Sequence, residues 1–575
     1  MSPFAAKLMR QLGVAVFIAA VFLAYSYPLI WNWNTQIIGL DTAFADTPQI
    51  LSNLYLFQAD MEAGNYGHTL ELFHPIGAST WMHGFTPGMS LLYALFGGNV
   101  LAFLNGFLLG CFVLAGLGAY QLACRYTSSF MGGLLIAFVY TFSSFHLAQW
   151  QDHYWYVINF ILPWYLLYFP KVFDFHPRHL FFRLASWKYL FICVALGLIS
   201  ASLDYYTTFF LIYLSIFYAL WKRYLSTIRW TWKPWKKVLT IVLAFFFISL
   251  LIDGLRSAGW DDNHGLYWSG DAAGLLVPQN SMLYGDTFKG WQGSWQEPGP
   301  DEKNIFLGFA LIIALSIAKV FFIKNAREDQ SAKQLFYAMA CLFLLCFPVF
   351  KLFGHTLLKL PSALLHYIPF LNNIRVPTRW AILLYLFAGL FLVRIFEIGL
   401  SSKQRLIAFS LLLLTLVAEY WPKTYERFPQ QDYSADAQLI REQEGEVVMT
   451  IPFGVRDGFK EIGKQDNRLQ YLQTLHHKKM LGGYFSRVSD TIFSHYAEDA
   501  LCSDLFLLMD NPDTAITPQD YSHFFQAFHP NLVYLREDYV SSKAWELFKN
   551  ACEQSKVDVV EVANNLFRLD YSNEN

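Results

Sequence analysis

The stretch from Gly39 to Met89 carries Asp41, Asp46, Asp60, Glu62 and Glu71, and not one Lys or Arg. Carboxylates without matching cations are the groups that draw a proton from a hydroxyl or hold a divalent cation. Asp41 and Asp46 stand in Gly39-Leu40-Asp41-Thr42-Ala43-Phe44-Ala45-Asp46-Thr47-Pro48-Gln49 and are the candidate catalytic bases. Asp46 before Thr47-Pro48 also reads as an ordinary helix N-cap. The complementary group is a cation for a departing phosphate. Arg375 and Arg379, in Asn373-Ile374-Arg375-Val376-Pro377-Thr378-Arg379-Trp380, are four apart where an apolar run begins. That spacing lets two guanidinium forks face one phosphate, or lets both side chains snorkel to an interface.

A third group is Gln149-Trp150-Gln151-Asp152-His153. His153 suits an acceptor or a phosphate, and equally a hydrogen-bonded interface histidine. Asp152 and Asp204 are expected at the depth of the acidic stretch, where carboxylates suit Mg2+ or Mn2+. Trp150 belongs with Trp81, Trp155, Trp260, Trp268, Trp291 and Trp295, whose faces suit the C–H face of a sugar or a membrane-interface belt.

The elements that must position these groups are membrane helices. The chain has 575 residues, 55% hydrophobic and 15% charged, whereas soluble domains carry about 25% charged residues. Apolar runs at 12–31, 98–123, 129–147, 155–172, 187–202, 206–221, 236–254, 304–323, 334–352, 378–396 and 405–421 give about eleven spans. Ser202-Leu203-Asp204-Tyr205-Tyr206 is a polar break that divides one over-long run into two helices. An Asp at the bilayer centre would cost about 2.5–3.5 kcal/mol, so the break is expected at a surface. Tyr205 joins the candidate substrate contacts there.

Lys and Arg set the orientation. Lys7, Arg10, Arg125, the runs Lys171–Lys188 and Lys222–Lys237, Lys324–Lys333 and Arg394–Arg405 share one side, while 32–85, 148–154 and 203–205 hold no basic residue. The N-terminus is therefore expected in the cytoplasm and everything after about Tyr420 outside it. The first apolar run lacks a small-x-small cleavage site after it and reads as an uncleaved helix.

The expected organisation is a membrane domain, 1–425, with external loops 32–97 and 255–303, followed by an extracytoplasmic α/β domain, 426–575. In that tail, Glu446–Ile451, Asn531–Leu535, Val557–Val562 and Asn565–Leu569 read as strands and Trp545–Ser555 as a helix. The compartment permits a Cys502–Cys552 bridge. There is no CxxC pair, no GxxxxGK[ST] loop and no strand–GxGxxG–helix, hence no cytoplasmic nucleotide module. Net charge −2 and the absence of a basic arm give no sign of a nucleic-acid partner. An external group transfer would then draw on a lipid-linked donor.

Taken in order along the chain, several short elements resemble the GT-C superfamily of membrane glycosyltransferases, near its bacterial YfhO-like group. They are the acidic first loop, Leu72-Phe73-His74-Pro75-Ile76-Gly77, Gln151-Asp152-His153, Asp301-Glu302-Lys303-Asn304-Ile305-Phe306-Leu307-Gly308 and Arg375-Val376-Pro377-Thr378-Arg379. Gln473-Thr474-Leu475-His476 and Gly482-Gly483-Tyr484-Phe485-Ser486-Arg487 add a tail element. The resemblance implies a multi-pass protein of the bacterial cytoplasmic membrane. It implies a polyprenyl-phosphate sugar donor, a lipid, glycan, cell-wall polymer or protein acceptor, and inversion at the anomeric carbon. The base would be Asp46 first and Asp41 second; the superfamily's adjacent acidic pair is here spread over five residues. Glu302 joins the substrate-contacting candidates. A transporter or lipid flippase would instead need ionisable groups within spans, and a non-catalytic envelope assembly factor would tolerate loss of both Asp41 and Asp46.

Overall fold

The computed structural model of the chain describes all residues except 1, 66, 81–87, 175–182, 224–246, 256, 258–264, 285–286, 289–290, 292–301, 303, 327, 369–370, 518, 537–541 and 572–575. The apolar run 236–254 and the loop 255–303 fall partly outside the described residues, and Trp81, Trp260 and Trp295 wholly so. The chain is mostly helical and divides into two compact units, Met1–Ile30 with Gly106–Tyr425, and Trp31–Asn105 with Glu426–Asn575.

The first unit is a helical bundle. Across the chain, four described helices are long and apolar enough to cross a membrane: Pro3–Tyr25, Val100–Ala123, Phe130–Gln149 and Pro377–Gly399. The first begins ahead of the apolar run expected at 12–31. Ser2 caps it by accepting the Ala5 N–H, and Pro3 is tolerated in a first turn. Elsewhere, Ser129, Asp329 and Ser401 cap Phe130–Thr141, Gln330–Cys346 and Ser402–Glu419 in the same way. Trp187–Leu203 and Tyr205–Arg223 are separate helices that meet at Asp204, as the polar break predicts. Ala381–Gly399 is buried along most of its length and packs against Phe130–Thr141, Phe309–Phe321 and Gln330–Cys346. Such all-round burial explains why it is apolar on every face.

Gly308, which ends the Asn304–Gly308 element, starts Phe309–Phe321 at φ +86°, and a Cβ there would lie 2.7 Å from a Glu419 carboxylate oxygen. Glu419 accepts the Tyr284 hydroxyl (2.6 Å) and the Ala310 N–H (3.3 Å), so it ties the helix start to the end of Ser402–Glu419. Glycine is the residue that satisfies both the backbone angle and the close approach.

The second unit joins two distant segments. Its main sheet has the order Lys479–Met480, Val447–Ile451, Leu532–Leu535, Leu566–Tyr571, Val557–Ala563. The first three strands are parallel and the last two antiparallel. Val447–Ile451 lies inside the sheet with every residue buried, and helices Ala500–Asp510 and Ser542–Gln554 add Leu501, Leu505, Ala544 and Phe548 to the core. Cys502 and Cys552 are separate buried thiols, so the bridge that the compartment permits is not formed. A second sheet runs Glu461–Gly463, Gly454–Arg456, Gly483–Tyr484.

The segment Trp31–Asn105 belongs to this unit through backbone bonds. Ile37 and Ile38 pair with Phe428 and Arg427 in a two-stranded ribbon. Phe73 N–H donates to Gly482 O (3.0 Å), His74 N–H to Met480 O (3.1 Å), and Met480 N–H to Glu71 O (2.8 Å). The Leu72–Gly77 and Gly482–Arg487 elements, separate motifs in the sequence, are thus joined by the Phe73–Gly482 bond, with Met480 bonding on either side of it. Gly77 closes the first at φ +73°, where a Cβ would come within 2.3 Å of Thr69 O.

Candidate functional site

In the second unit, Asp46 opens helix Asp46–Glu62. The cap residue is Ala45, not Asp46, and it makes no side-chain cap bond. Asp46 therefore lies inside the first turn, partly exposed, at the positive end of the helix dipole. The loop before it is fixed at several points. Gly39 N–H donates to Glu426 O (3.1 Å), and Asn467 donates its N–H to Ala43 O (2.8 Å) and its side-chain amide to Ala45 O (2.7 Å). Asp41 is consumed by this stitching: one carboxylate oxygen accepts the Gln430 N–H and the other the Tyr433 hydroxyl, both at 2.7 Å. Two carboxylates of one loop thus have different surroundings. Asn467 and Tyr433 are supports that no motif or spacing in the sequence singles out.

Asp60, near the end of the same helix, is 3% exposed. Burial pushes its carboxyl up to about 7, with a Thr69 hydrogen bond opposing and the Glu71 charge adding. The folded chain therefore keeps a proton that the unfolded chain releases. That stabilisation is complete below the ordinary aspartate range and is lost as pH rises toward 7. Asp60→Asn is neutral at every pH. Between about pH 5 and about pH 8 the wild-type melting midpoint is expected to fall relative to that of Asp60→Asn, and parallel melting curves would refute the assignment.

In the first unit, Glu302 and Arg379 form a buried ion pair, 6% and 7% exposed. Arg379 sits in the turn Pro377–Trp380 that leads into Ala381–Gly399. Its Nε donates to one Glu302 oxygen at 3.3 Å and its Nη2 to the other, a bidentate grip. The Gln149 side-chain amide donates to Glu302 at 3.4 Å, and His153 Nε2 stands 4.0 Å from it. The faces of the Arg379 guanidinium are covered by Tyr156 and Tyr206, each ring centre 4.4 Å away. Burial alone would raise the Glu302 carboxyl, but Arg379, His153 and Arg375 together hold it below the usual glutamate range.

Arg375 is partly exposed, and its N–H donates to the Tyr206 hydroxyl at 3.2 Å. Asp204, at the junction of the two helices, accepts from the N–H of Tyr206 (3.1 Å) and from the N–H and hydroxyl of Thr207 (2.7 and 2.6 Å). Burial pushes its carboxyl up, and the Thr207 and Tyr206 bonds oppose this. With donors on both oxygens, Asp204 starts a helix and does not fit an open cation ligand.

Two expectations change. Trp150 is 1% exposed, with Phe22 at 4.5 Å, Phe112 at 4.8 Å and Tyr425 at 5.4 Å between ring centres. It is a core residue and not a sugar platform. Arg379, expected beside Arg375 as half of a phosphate clamp, spends its fork on Glu302. Tyr205, the aromatic singled out at the break, is 39% exposed, and the neighbour that faces Arg379 is Tyr206. Tyr156 and Tyr206 were missed because nothing in spacing marks an aromatic as a cation's partner. Asp152 is 8% exposed and His153 partly exposed, in the turn before Tyr154–Ile158.

No protein-family model matches the sequence, and no curated protein matches it significantly. Among solved structures, the arabinofuranosyltransferase AftD from Mycobacteria aligns over 98% of this chain at TM-score 0.50 and 12% identity. The alignment covers 40% of AftD, so the chain spans about two-fifths of that protein's length. The apo oligosaccharyltransferase of Archaeoglobus fulgidus aligns at TM-score 0.45 and 13% identity, over 91% of this chain and 69% of that one. AglB of the same organism, in complex with an inhibitory peptide and a dolichol-phosphate, aligns at TM-score 0.42 and 11% identity, over 99% and 75%. The likeness is one of fold: the chain shares the architecture of the aligned part of AftD.

Proposed function

We propose that this chain is an inverting glycosyltransferase of the YfhO-like GT-C group, acting at the outer face of a bacterial cytoplasmic membrane. It moves a sugar from a polyprenyl-phosphate donor to a hydroxyl of a lipid, glycan, cell-wall polymer or protein. The observation that carries this reading is Asp46. It is a partly exposed carboxylate in the first turn of a helix, on a loop held rigid by its own unit, in a chain with a GT-C fold. Asp41, with both oxygens engaged, supports Asp46 as the base.

In the step so assigned, a carboxylate oxygen of Asp46 takes the proton of the acceptor's hydroxyl as the hydroxyl oxygen attacks the anomeric carbon. The bond from the anomeric carbon to the donor phosphate breaks, and polyprenyl phosphate leaves with the electron pair. Attack from the face opposite the leaving group inverts the centre. Arg375 contacts the departing phosphate. Arg379, locked on Glu302, stabilises its negative charge through its field and holds Tyr206 under Arg375. His153 and Asp152 orient the acceptor. Membrane lipid surrounds the first unit.

The purified chain, given labelled polyprenyl-phosphate sugars and a membrane extract, tests the reading by formation of a glycosylated product. Arg375→Ala is expected to lower kcat/KM for the donor by about 10–100-fold, with Arg375→Lys in between, because a charged hydrogen bond contributes about 1.5–3 kcal/mol. Equal kinetics for all three proteins would remove Arg375 from the phosphate.

A further inference from the structure

Arg456 ends the strand Gly454–Arg456, and its guanidinium carbon lies 5.1 Å from the ring centre of Phe44 and 4.8 Å from that of Tyr484. Phe44 stands two residues before Asp46. Both rings are set by one helix, Asn467–His476. Asn467 bonds to Ala43 O and Ala45 O on either side of Phe44. Gln470, one turn later, donates to Tyr484 O at 3.3 Å and accepts the Tyr484 N–H at 3.0 Å.

Rings satisfy the faces of a guanidinium but give its edge no acceptor. Arg456 Nη1 is shut away from solvent and has no hydrogen-bond partner among the described residues. A buried donor left unpaired is destabilising, and such groups call for a partner that the folded chain does not itself supply. Phe44 is 56% exposed, so one wall of this cradle is open to an arriving molecule.

We propose that Arg456 is an oxyanion-binding residue, taking a phosphate or carboxylate oxygen of the substrate whose hydroxyl or anomeric carbon reacts at Asp46. Phe44 and Tyr484 fix the plane of the fork. The inference deepens the glycosyltransferase reading and rests on it for the identity of the substrate. A phosphate oxygen would come from the lipid-linked donor and a carboxylate oxygen from an acidic sugar of the acceptor. Both match the fork geometry of arginine.

The purified full-length chain in detergent is titrated with two labelled probes, polyprenyl phosphate and glucuronic acid. Arg456→Ala is expected to weaken binding of one probe by about tenfold or more, and Arg456→Lys by less, since the ammonium keeps the charge and loses the fork. Weaker binding of polyprenyl phosphate assigns the oxygen to the donor, and weaker binding of glucuronic acid to the acceptor. Unchanged affinity for both in an Arg456→Ala protein with a wild-type melting curve overturns the proposal, as does a wild-type chain that binds neither. Should Arg456→Ala fail to fold, Tyr484→Leu removes one supporting ring and is read by the same criteria. Binding is measured without transfer. A chain that binds through Arg456 and transfers no sugar would therefore refute the glycosyltransferase reading and leave this one intact.

Discussion

Asp46→Asn is expected to lower turnover by about 10²–10⁴-fold with little change in donor affinity, the range that loss of a positioned general base produces. The amide has nearly the shape of the carboxylate and can still sit in the first turn of Asp46–Glu62, but it cannot take a proton. The interaction of this first-turn charge with the helix dipole contributes about 0.3–1 kcal/mol to stability. Asp41→Asn should behave in the opposite way. Its oxygens accept from Gln430 and Tyr433, so the amide disturbs that anchor and the melting temperature while chemistry continues. Single-turnover transfer and melting curves on the two variants separate these outcomes. Wild-type transfer by Asp46→Asn would end the assigned mechanism.

Glu302→Gln should be the most destabilising single change in the first unit. It leaves the Arg379 guanidinium, 7% exposed, with no carboxylate. Breaking a buried pair from one side costs about 3–5 kcal/mol, because the remaining charge is stranded. Replacing both members, as in Glu302→Gln with Arg379→Met, should recover most of that loss, since an apolar substitute of similar volume strands no charge. Thermal unfolding in detergent checks both, and equal melting points for the wild type and Glu302→Gln would show that the pair is not closed in solution. The sign of the pH effect follows from the carboxyl held below its usual range. The pair's contribution is present above the ordinary glutamate range and is lost only as pH falls through the lower, folded-state value.

Much of the local structure was legible because it depends on near neighbours. The strand expected at Glu446–Ile451 is found at Val447–Ile451, and that at Asn531–Leu535 at Leu532–Leu535. Helix Ser542–Gln554 begins three residues before and ends one residue before the expected 545–555. The Asp204 break was readable because an acidic residue in an apolar run has few places to go. What the sequence hid is pairing at a distance. Glu302 and Arg379 are 77 residues apart and were marked in separate motifs, with nothing to say that one would occupy the other. Trp150 read as a surface ring because its neighbours in sequence are polar, whereas Phe22 and Phe112 close over it. Strands of two residues, such as Lys479–Met480 and Gly483–Tyr484, carry no periodicity at all. The bonds that make Asp41 an anchor, and so set it apart from Asp46, come from residues almost four hundred positions away: |i−j| is 389 and 392.

The joining of Trp31–Asn105 to Glu426–Asn575 imposes an order on biosynthesis. A ribosome that has made Asp46 has still to deliver Asn467, 422 residues later for the Asn467–Ala45 bond. At about 5–20 residues per second, that wait lasts tens of seconds to over a minute. Throughout it, the amides and carbonyls around Ile37, Phe73 and Ala45 lack their eventual mates. Maturation is thereby tied to synthesis of the segment Glu426–Asn575: a nascent product that stops short of Asn467 has its candidate base in a loop that lacks these bonds.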